Sequence, residues 1–246
     1  MPRIYLSPST QEFNPYVTQG NEEYYMNLIA DAMVPYLNAT GIAYTRNTPD
    51  MTAASSIRAS NQDYYDVHLA LHSNAAGGNS AGQIRGSEVY YYPRSASGQR
   101  LAEIIANNLK MIYPLPDRVR TVPTTTLGEV TRTRAPSVLI EFAYHDNVED
   151  ANWITNNIEQ IAANVVLSLA DYFGIPFSTP QPVRFARVVT RGGRLNIRTL
   201  PNTNSYILGQ APNGASVTVY SQNNDWSVID YNGILGFARS AFLQII

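Results

Sequence analysis

Residues 66–78 read DVHLALHSNAAGG, and the reading of this stretch decides the fold. Its alternation puts His68, Ala70 and His72 on one face of a strand. The Ser-Asn-Ala-Ala-Gly-Gly run after His72 marks a loop. Outward from it, short apolar runs alternate with helical patterns. Strands are expected over 3–7, 42–46, 66–71, 88–92 and 137–142, and helices over 22–38, 53–61, 98–112 and 150–173. Such alternation predicts an α/β fold, a twisted and mostly parallel sheet with helices on both faces, through residue 175. Pro35 is expected to kink the first helix, because it lacks an N–H and crowds the preceding turn.

Residues 176–182 read PFSTPQP, a short stiff linker over 176–183. Beyond it, over 184–246, short alternating runs are broken by Gly192-Gly193, Asn213-Gly214, Asn223-Asn224 and Asn232-Gly233. Regular turn signals between short strands predict a small all-β barrel.

Composition narrows the chemistry. The formal charge of −2 over 246 residues gives no nucleic-acid footprint. The absence of cysteine excludes a thiol nucleophile, a zinc–thiolate site and a disulfide framework. The 17 tyrosines mostly alternate along strands and read as half-buried sheet residues. No run is long enough to span a membrane. Met1-Pro2-Arg3 leads straight into Ile4-Tyr5-Leu6, a strand and not a signal-peptide core, so either export takes a route this sequence does not encode or a leader is missing from it.

Three polar groups stand where apolar ones are expected. The stripe Met26, Ile29, Ala30, Met33, Leu37, extended back one turn, reaches Glu23 and aims its carboxylate at the sheet, with Glu22 on the solvent side. His68 in mid-strand reads as a core histidine, whereas His72 at the strand's end suits a metal ligand. Ser137-Val138-Leu139-Ile140-Glu141 ends in a carboxylate that needs a partner or a task. Ligands of open α/β sheets bind outside the carboxyl ends of the strands, where His72 and Glu141 both fall.

These residues also carry a family resemblance. GNEEYYMNLIA (20–30), YTRN (44–47), Asn61, LHSNA (71–75), GSEVYYY (86–92), RLAEII (100–105) and PSVLIEFAYHDN (136–147) resemble, in order, motifs of the zinc-dependent N-acetylmuramoyl-L-alanine amidases. That family cuts the amide bond between muramic acid and the first alanine of the peptidoglycan stem peptide. The resemblance implies zinc as cofactor, Glu23 and His72 as ligands and Glu141 as the catalytic carboxylate. It departs at one place: the family's first strand leads into Asp-Pro-Gly-His-Gly-Gly, with a ligating histidine, and here residues 7–12 read SPSTQE. His145 is the expected replacement, ahead of Gln11 or Glu12, since an amide oxygen is a weak zinc ligand. Gln11 and Asn74 are otherwise expected to contact substrate, and the loop 74–85 to be mobile. LNIR (195–198), Gly214 before SVTVY, NDWSVIDY (224–231) and GILGFARSAFL (233–243) resemble a bacterial SH3-like domain, which implies binding to the cell wall. Trp226 reads equally as a groove or a core residue. The resemblance thus implies a monomeric, wall-acting hydrolase of the autolysin or endolysin kind. The alternatives are a peptidase, or a wall-binding protein that has lost its metal and its activity.

Overall fold

The computed structural model describes residues 1–246. The chain divides into two compact units. One comprises Arg3–Met33 and Tyr44–Tyr172, the other Met1–Pro2, Val34–Ala43 and Phe173–Ile246.

The first is built on a six-stranded sheet. In chain order its elements are β1 (Arg3–Pro8), α1 (Glu22–Thr40), β2 (Ala43–Arg46), α2 (Ala53–Ser60), β3 (Val67–Asn74), β4 (Ser87–Tyr91), α3 (Ala96–Leu109), β5 (Val119–Pro123), α4 (Gly128–Thr131), β6 (Ser137–Tyr144), α5 (Val148–Asn156) and α6 (Ile158–Phe173). The strand order is β2-β1-β3-β6-β4-β5. β1 with β3, β3 with β6 and β4 with β5 run parallel, and β4 with β6 antiparallel. β5 was absent from the sequence expectation, and the expected 150–173 helix breaks at Asn157, the C-cap of α5. α1 runs through Pro35 without interruption.

Period-2 alternation gives the sheet two unlike faces. Ile4, Leu6, Val67, Leu69, Leu71, Val89, Val138 and Ile140 are fully buried and apolar. The opposite face holds Tyr5, Ser7, His68, His72, Glu88 and Glu141, because Tyr5 pairs with His68, His72 with Glu141 and Glu88 with Glu141 in adjacent strands. Buried polar groups need partners, and α2 and α4 supply several of them through Ser56, Ser60 and Glu129.

In the second unit, β7 (Arg184–Val188), β8 (Arg194–Arg198), β9 (Ile207–Pro212), β10 (Ser216–Asn223), β11 (Trp226–Tyr231), β12 (Ile234–Arg239) and β13 (Leu243–Ile245) form one sheet, order β13-β7-β10-β11-β12-β8-β9. All its pairings are antiparallel. Inward residues such as Val188, Ile197, Val219 and Ile229 form a thin core. Asn232 and Gly233 both take positive φ, 51° and 80°, the turn that matches strand twist between β11 and β12. The barrel strands share this unit with the end of α1. There Gly41, at φ 79°, closes the helix while Ile42 N–H donates to the Leu37 carbonyl at 2.9 Å. A Cβ on Gly41 would meet the Phe237 ring at 3.1 Å, so this position needs glycine for its space as well as its φ. The Ser221 hydroxyl donates to the Ala39 carbonyl at 2.5 Å. The expected linker is held in the same way: Ser178 N–H donates to the Thr40 hydroxyl at 3.2 Å, and Asn223 bonds the Ser178 hydroxyl.

Candidate active site

The site grows from the carboxyl ends of β1, β3 and β6 and the first turn of α1. His72 is its hub, 7% exposed. Its Nδ1 lies 2.8 Å from Glu22 Oε1 and 3.3 Å from the Gln11 side-chain amide. Its Nε2 lies 3.0 Å from Glu129 Oε2. Asn14 donates from its amide to Glu22 at 2.7 Å and to the Gln11 side-chain oxygen at 3.1 Å, which ties the loop after β1 to the start of α1.

Glu129 anchors the far side of the ring. Besides His72 it accepts from the Ser7 hydroxyl at 2.5 Å and faces His68 Nε2 at 3.3 Å. His68 Nδ1 in turn pairs with the Ser60 hydroxyl at 2.9 Å. His68 is thus a satisfied core histidine, and it also braces the carboxylate that holds His72. Burial opposes the charge on Glu129, but its bonds to His68 and His72 outweigh that and hold its pKa far below the usual carboxylate range. For His72, burial pulls the pKa down. The bonds to Glu129 and Glu22 more than offset it, and the ring is held well above its ordinary value. Glu22 is lowered, since its bonds to His72 and Asn14 outweigh burial.

Glu141 is the exception. It stands beside His72 in the β3–β6 register, yet its Oε2 is buried with no hydrogen-bond partner. Burial, helped by the charges of Glu22, Glu88 and Glu129 and opposed by His72, pushes its pKa up to about 8. A buried carboxyl with an idle oxygen, adjoining a fully bonded imidazole, is placed to give and take protons. Gln11 also borders a cleft of about 800 Å3, walled by Thr10, Glu12, Phe13, Glu23 and Met51.

Two sequence expectations change here. Glu22, 1% exposed, and not Glu23, faces His72. Glu23 is partly exposed on the cleft wall, where burial and then the neighbouring Glu12 raise its pKa. The stripe of α1 extends back from Met26 by four residues and not three. Nor is His145 drawn to His72. Its Nδ1 meets the Ser73 carbonyl at 2.8 Å and the Ser73 hydroxyl at 3.0 Å, and its ring stacks on Tyr16 with centroids 5.2 Å apart. Asn74 donates to Glu88 at 3.3 Å and caps Ala75 N–H at 2.8 Å. The loop expected to be mobile is pinned by Asp146, which accepts from Ala76 and Gly82 N–H at 3.1 and 2.8 Å. Trp226 is half-buried, with the Arg239 guanidinium 5.5 Å from its ring centre.

Ligands at about 2.0–2.1 Å around a tetrahedral zinc stand roughly 3.3 Å apart. From His72 Nδ1 the Gln11 amide lies at that spacing, 3.3 Å, and Glu22 closer, at 2.8 Å. A ligating imidazole commonly gives its other N–H to a carboxylate, the place Glu129 holds. Glu22 and His72 supply two donors for such an ion, while Gln11 turns its amide nitrogen to His72 and its oxygen to Asn14. No three acidic or histidine side chains converge in ligating geometry.

Fold and cluster together define an α/β protein with an acid–base site at the carboxyl edge of its parallel strands. Residues 13–171 match the N-acetylmuramoyl-L-alanine amidase family, and the chain belongs to it. Residues 193–244 match the bacterial SH3 domain. The N-acetylmuramoyl-L-alanine amidase LytC of Bacillus subtilis (strain 168) is 31% identical over 127 residues, 51% of this chain and 23% of that protein. The chain therefore matches less than a quarter of that relative's length. The amidase AmiC2 of Nostoc punctiforme shares the fold with a TM-score of 0.61 at 17% identity, over 70% of this chain and 97% of that one. An N-acetylmuramoyl-L-alanine amidase of Clostridium difficile 630 does so with a TM-score of 0.62 at 16% identity, again over 70% and 97%.

Proposed function

We propose that this protein hydrolyses the amide bond between N-acetylmuramic acid and the first alanine of the peptidoglycan stem peptide, with zinc held by Glu22, His72 and Gln11. The observation that carries the reading is the unpartnered, buried oxygen of Glu141 beside His72. A zinc ion held there would supply the acidity for its water and polarise the scissile carbonyl. Glu141 takes the proton of the attacking water and passes it to the leaving alanine nitrogen, first as base and then as acid. The charge of a zinc ion beside it would lower the Glu141 pKa from about 8 and ready it as a base near neutral pH. Glu129 fixes the ring so that Nδ1 faces Glu22 and Gln11. Glu23 lines the approach. His145 and Asn74 shape the loop wall and leave the metal to the other three. The second domain, proposed over 184–246, binds the wall and keeps a monomeric enzyme near its substrate as an autolysin or endolysin would.

Zinc content of wild type beside Glu22→Ala, Gln11→Ala and His145→Ala tests the ligand set. About one zinc per chain is expected, lost in the first two variants and kept in the third. Digestion of purified wall should free alanine amino termini without new reducing ends. A zinc-free protein that binds wall but releases nothing would overturn the reading in favour of a wall-binding protein.

A further inference from the structure

A row of polar residues crosses the sheet at the height of the site. His72 stands beside Glu141, Glu141 beside Glu88, and Glu88 beside Arg120, so the four share one face of β3, β6, β4 and β5. The proposed reaction uses the first two. Glu88 is buried and both its oxygens are taken. Arg120 donates to Oε1 from Nε at 2.9 Å and from Nη2, and Oε2 accepts from the Tyr90 hydroxyl at 2.5 Å and the Asn74 amide at 3.3 Å. Arg120 is different. Its side chain is 70% exposed, and its other N–H groups meet no acceptor in the protein.

Arg120 opens onto a pocket of about 300 Å3, lined also by Arg85, Arg118, Tyr144 and Asp117. Arg85 is held as Arg120 is, its Nε donating to the buried Asp150 at 2.9 Å. Arg118 is exposed and makes no ion pair. Two guanidinium groups are thus fixed from behind by buried carboxylates, and a third is unpaired. A guanidinium fixed along one edge presents the other in a set direction, and donors ordered in advance cost an incoming ligand little. A carboxylate is the group whose two oxygens match that fork. Adjacent strands lie about 4.8 Å apart, so the free edge of Arg120, folded back on Glu88, stands about 5–10 Å from Glu141. An extended chain advances about 3.3–3.6 Å per residue, which puts the carboxylate about two residues from the bond that is cut. In the substrate class proposed above the lactyl carboxyl is itself part of that bond, so this carboxylate comes from the peptide side.

We infer that Arg120, with Arg85 and Arg118 beside it, is a specificity residue that binds a free carboxylate on the second residue of the released peptide and discriminates against a carboxamide there. The inference rests on the amidase reading above for the bond that is cut.

The test uses the full chain and two soluble substrates that differ in one group: N-acetylmuramoyl-L-alanyl-D-glutamate γ-methylamide, its α-carboxylate free, and the same compound with that carboxylate amidated. Wild type should show a kcat/KM about ten-fold or more higher for the free acid, with the difference in KM, because a charge-assisted pair is missing from the amide. Arg120→Gln should bring the ratio close to one and leave hydrolysis of the amidated substrate within a few-fold of wild type. Arg120→Lys, which keeps the charge and loses the fork, should retain part of the preference. A role for Arg120 in holding Glu88 alone would slow both substrates alike and leave the ratio in place. That result, or a wild-type ratio near one, would overturn the inference while hydrolysis itself upholds the amidase reading. If wild type cuts neither compound, the amidase reading fails, and calorimetry with the same two compounds on wild type and Arg120→Gln reads the pocket directly. Tighter binding of the free acid, lost in the variant, would then keep the assignment, and equal binding of the two would end it.

Discussion

The amidase unit and the barrel treat charge in opposite ways. Around His72, the carboxylates of Glu22 and Glu129 are buried, and each is hydrogen-bonded by at least two neighbours. Around Arg194, Arg191 and Arg194 are exposed without an ion pair, while Arg198 and Arg239 are half-buried and bonded to Ser205 and Asp225. Burying an ion costs several kcal/mol unless its bonds are satisfied, so the first arrangement persists only if the fold holds every partner in place. Such rigidity suits proton transfer, where small displacements are expensive. The second arrangement costs the fold almost nothing and keeps its attraction for an incoming ligand. The first arrangement suits chemistry at fixed geometry and the second the attraction of an anion.

The largest break in that comparison comes at Glu141, whose buried Oε2 has no hydrogen-bond partner. Glu141→Gln should lower hydrolysis by about 10^2–10^4-fold, the usual contribution of a positioned acid–base group, with zinc content unchanged. It should also alter stability in a direction that can be worked out. The pKa of Glu141 rises from 4.5 to about 8 on folding. Below pH 4.5 the carboxyl is protonated in both states and contributes nothing. Between 4.5 and 8 the unfolded chain releases the proton and the folded one keeps it, so wild type loses roughly 1.4 kcal/mol per pH unit. In metal-free protein Glu141→Gln should therefore melt above wild type at pH 8 and level with it at pH 4. A variant that melts at or below wild type at pH 8 would show that the carboxylate is better satisfied than its geometry indicates.

Glu22 and Glu23 sharpen the contrast between adjacent residues. Glu22→Gln should reduce zinc affinity by about 10–100-fold or more, since a charged ligand becomes a weak amide. Glu23→Gln should leave zinc content intact and raise KM a few-fold at most, as befits a residue on the cleft wall. Zinc titration and steady-state kinetics on the pair separate the two roles. The reverse result would restore Glu23 as the ligand.

Glu129→Gln comes next in size. Partners behind a metal ligand typically contribute 10–100-fold in affinity. The ring nitrogen shifts of His72, followed by 15N NMR in zinc-free protein, should move as well, because the ring loses the carboxylate at Nε2. A role in packing alone would change the melting temperature and leave those shifts in place.

How far the sequence foretold this depends on the kind of signal each residue carries. His72 and Glu141 were legible because alternation fixes their face and the strand end fixes their height, and the β3–β6 register then makes them neighbours. The barrel was legible from its Asn-Gly turns. Glu22 was misplaced by one residue because a helical stripe permits steps of three or four, and nothing local in the first turn of α1 chooses between them. His145 lies just beyond an irregularity in the register between His72 and Asn74, where simple alternation fails, so its distance from Glu141 in sequence was a poor guide to its aim. Glu129 was missed entirely. It sits in a four-residue helix, too short to show a period, and its only signal is a carboxylate flanked by Leu127 and Val130. β5 was lost for a similar reason: Val119–Pro123 is short and half-exposed, and it ends in proline.

The smallest effect concerns the loop after β3, where composition and structure disagree. Its glycines, serines and asparagines read as mobile, but Asp146 holds it from both ends through Ala76 and Gly82, and the Asn147 amide donates to the Gly82 carbonyl at 2.7 Å. Asp146→Ala removes two charge-assisted bonds to backbone N–H, each worth about 1.5–3 kcal/mol in a buried setting and less at this partly exposed one. Hydrogen exchange at Ala76 and Gly82 should accelerate about ten-fold or more, while the amides of β3 itself keep their protection. Hydrolysis should fall only a few-fold, since the groups around His72 stay in place. Unchanged exchange at Ala76 and Gly82 would mean that the loop is held by its own turns, and the rigidity argued for the amidase site would then stop at the ends of its strands.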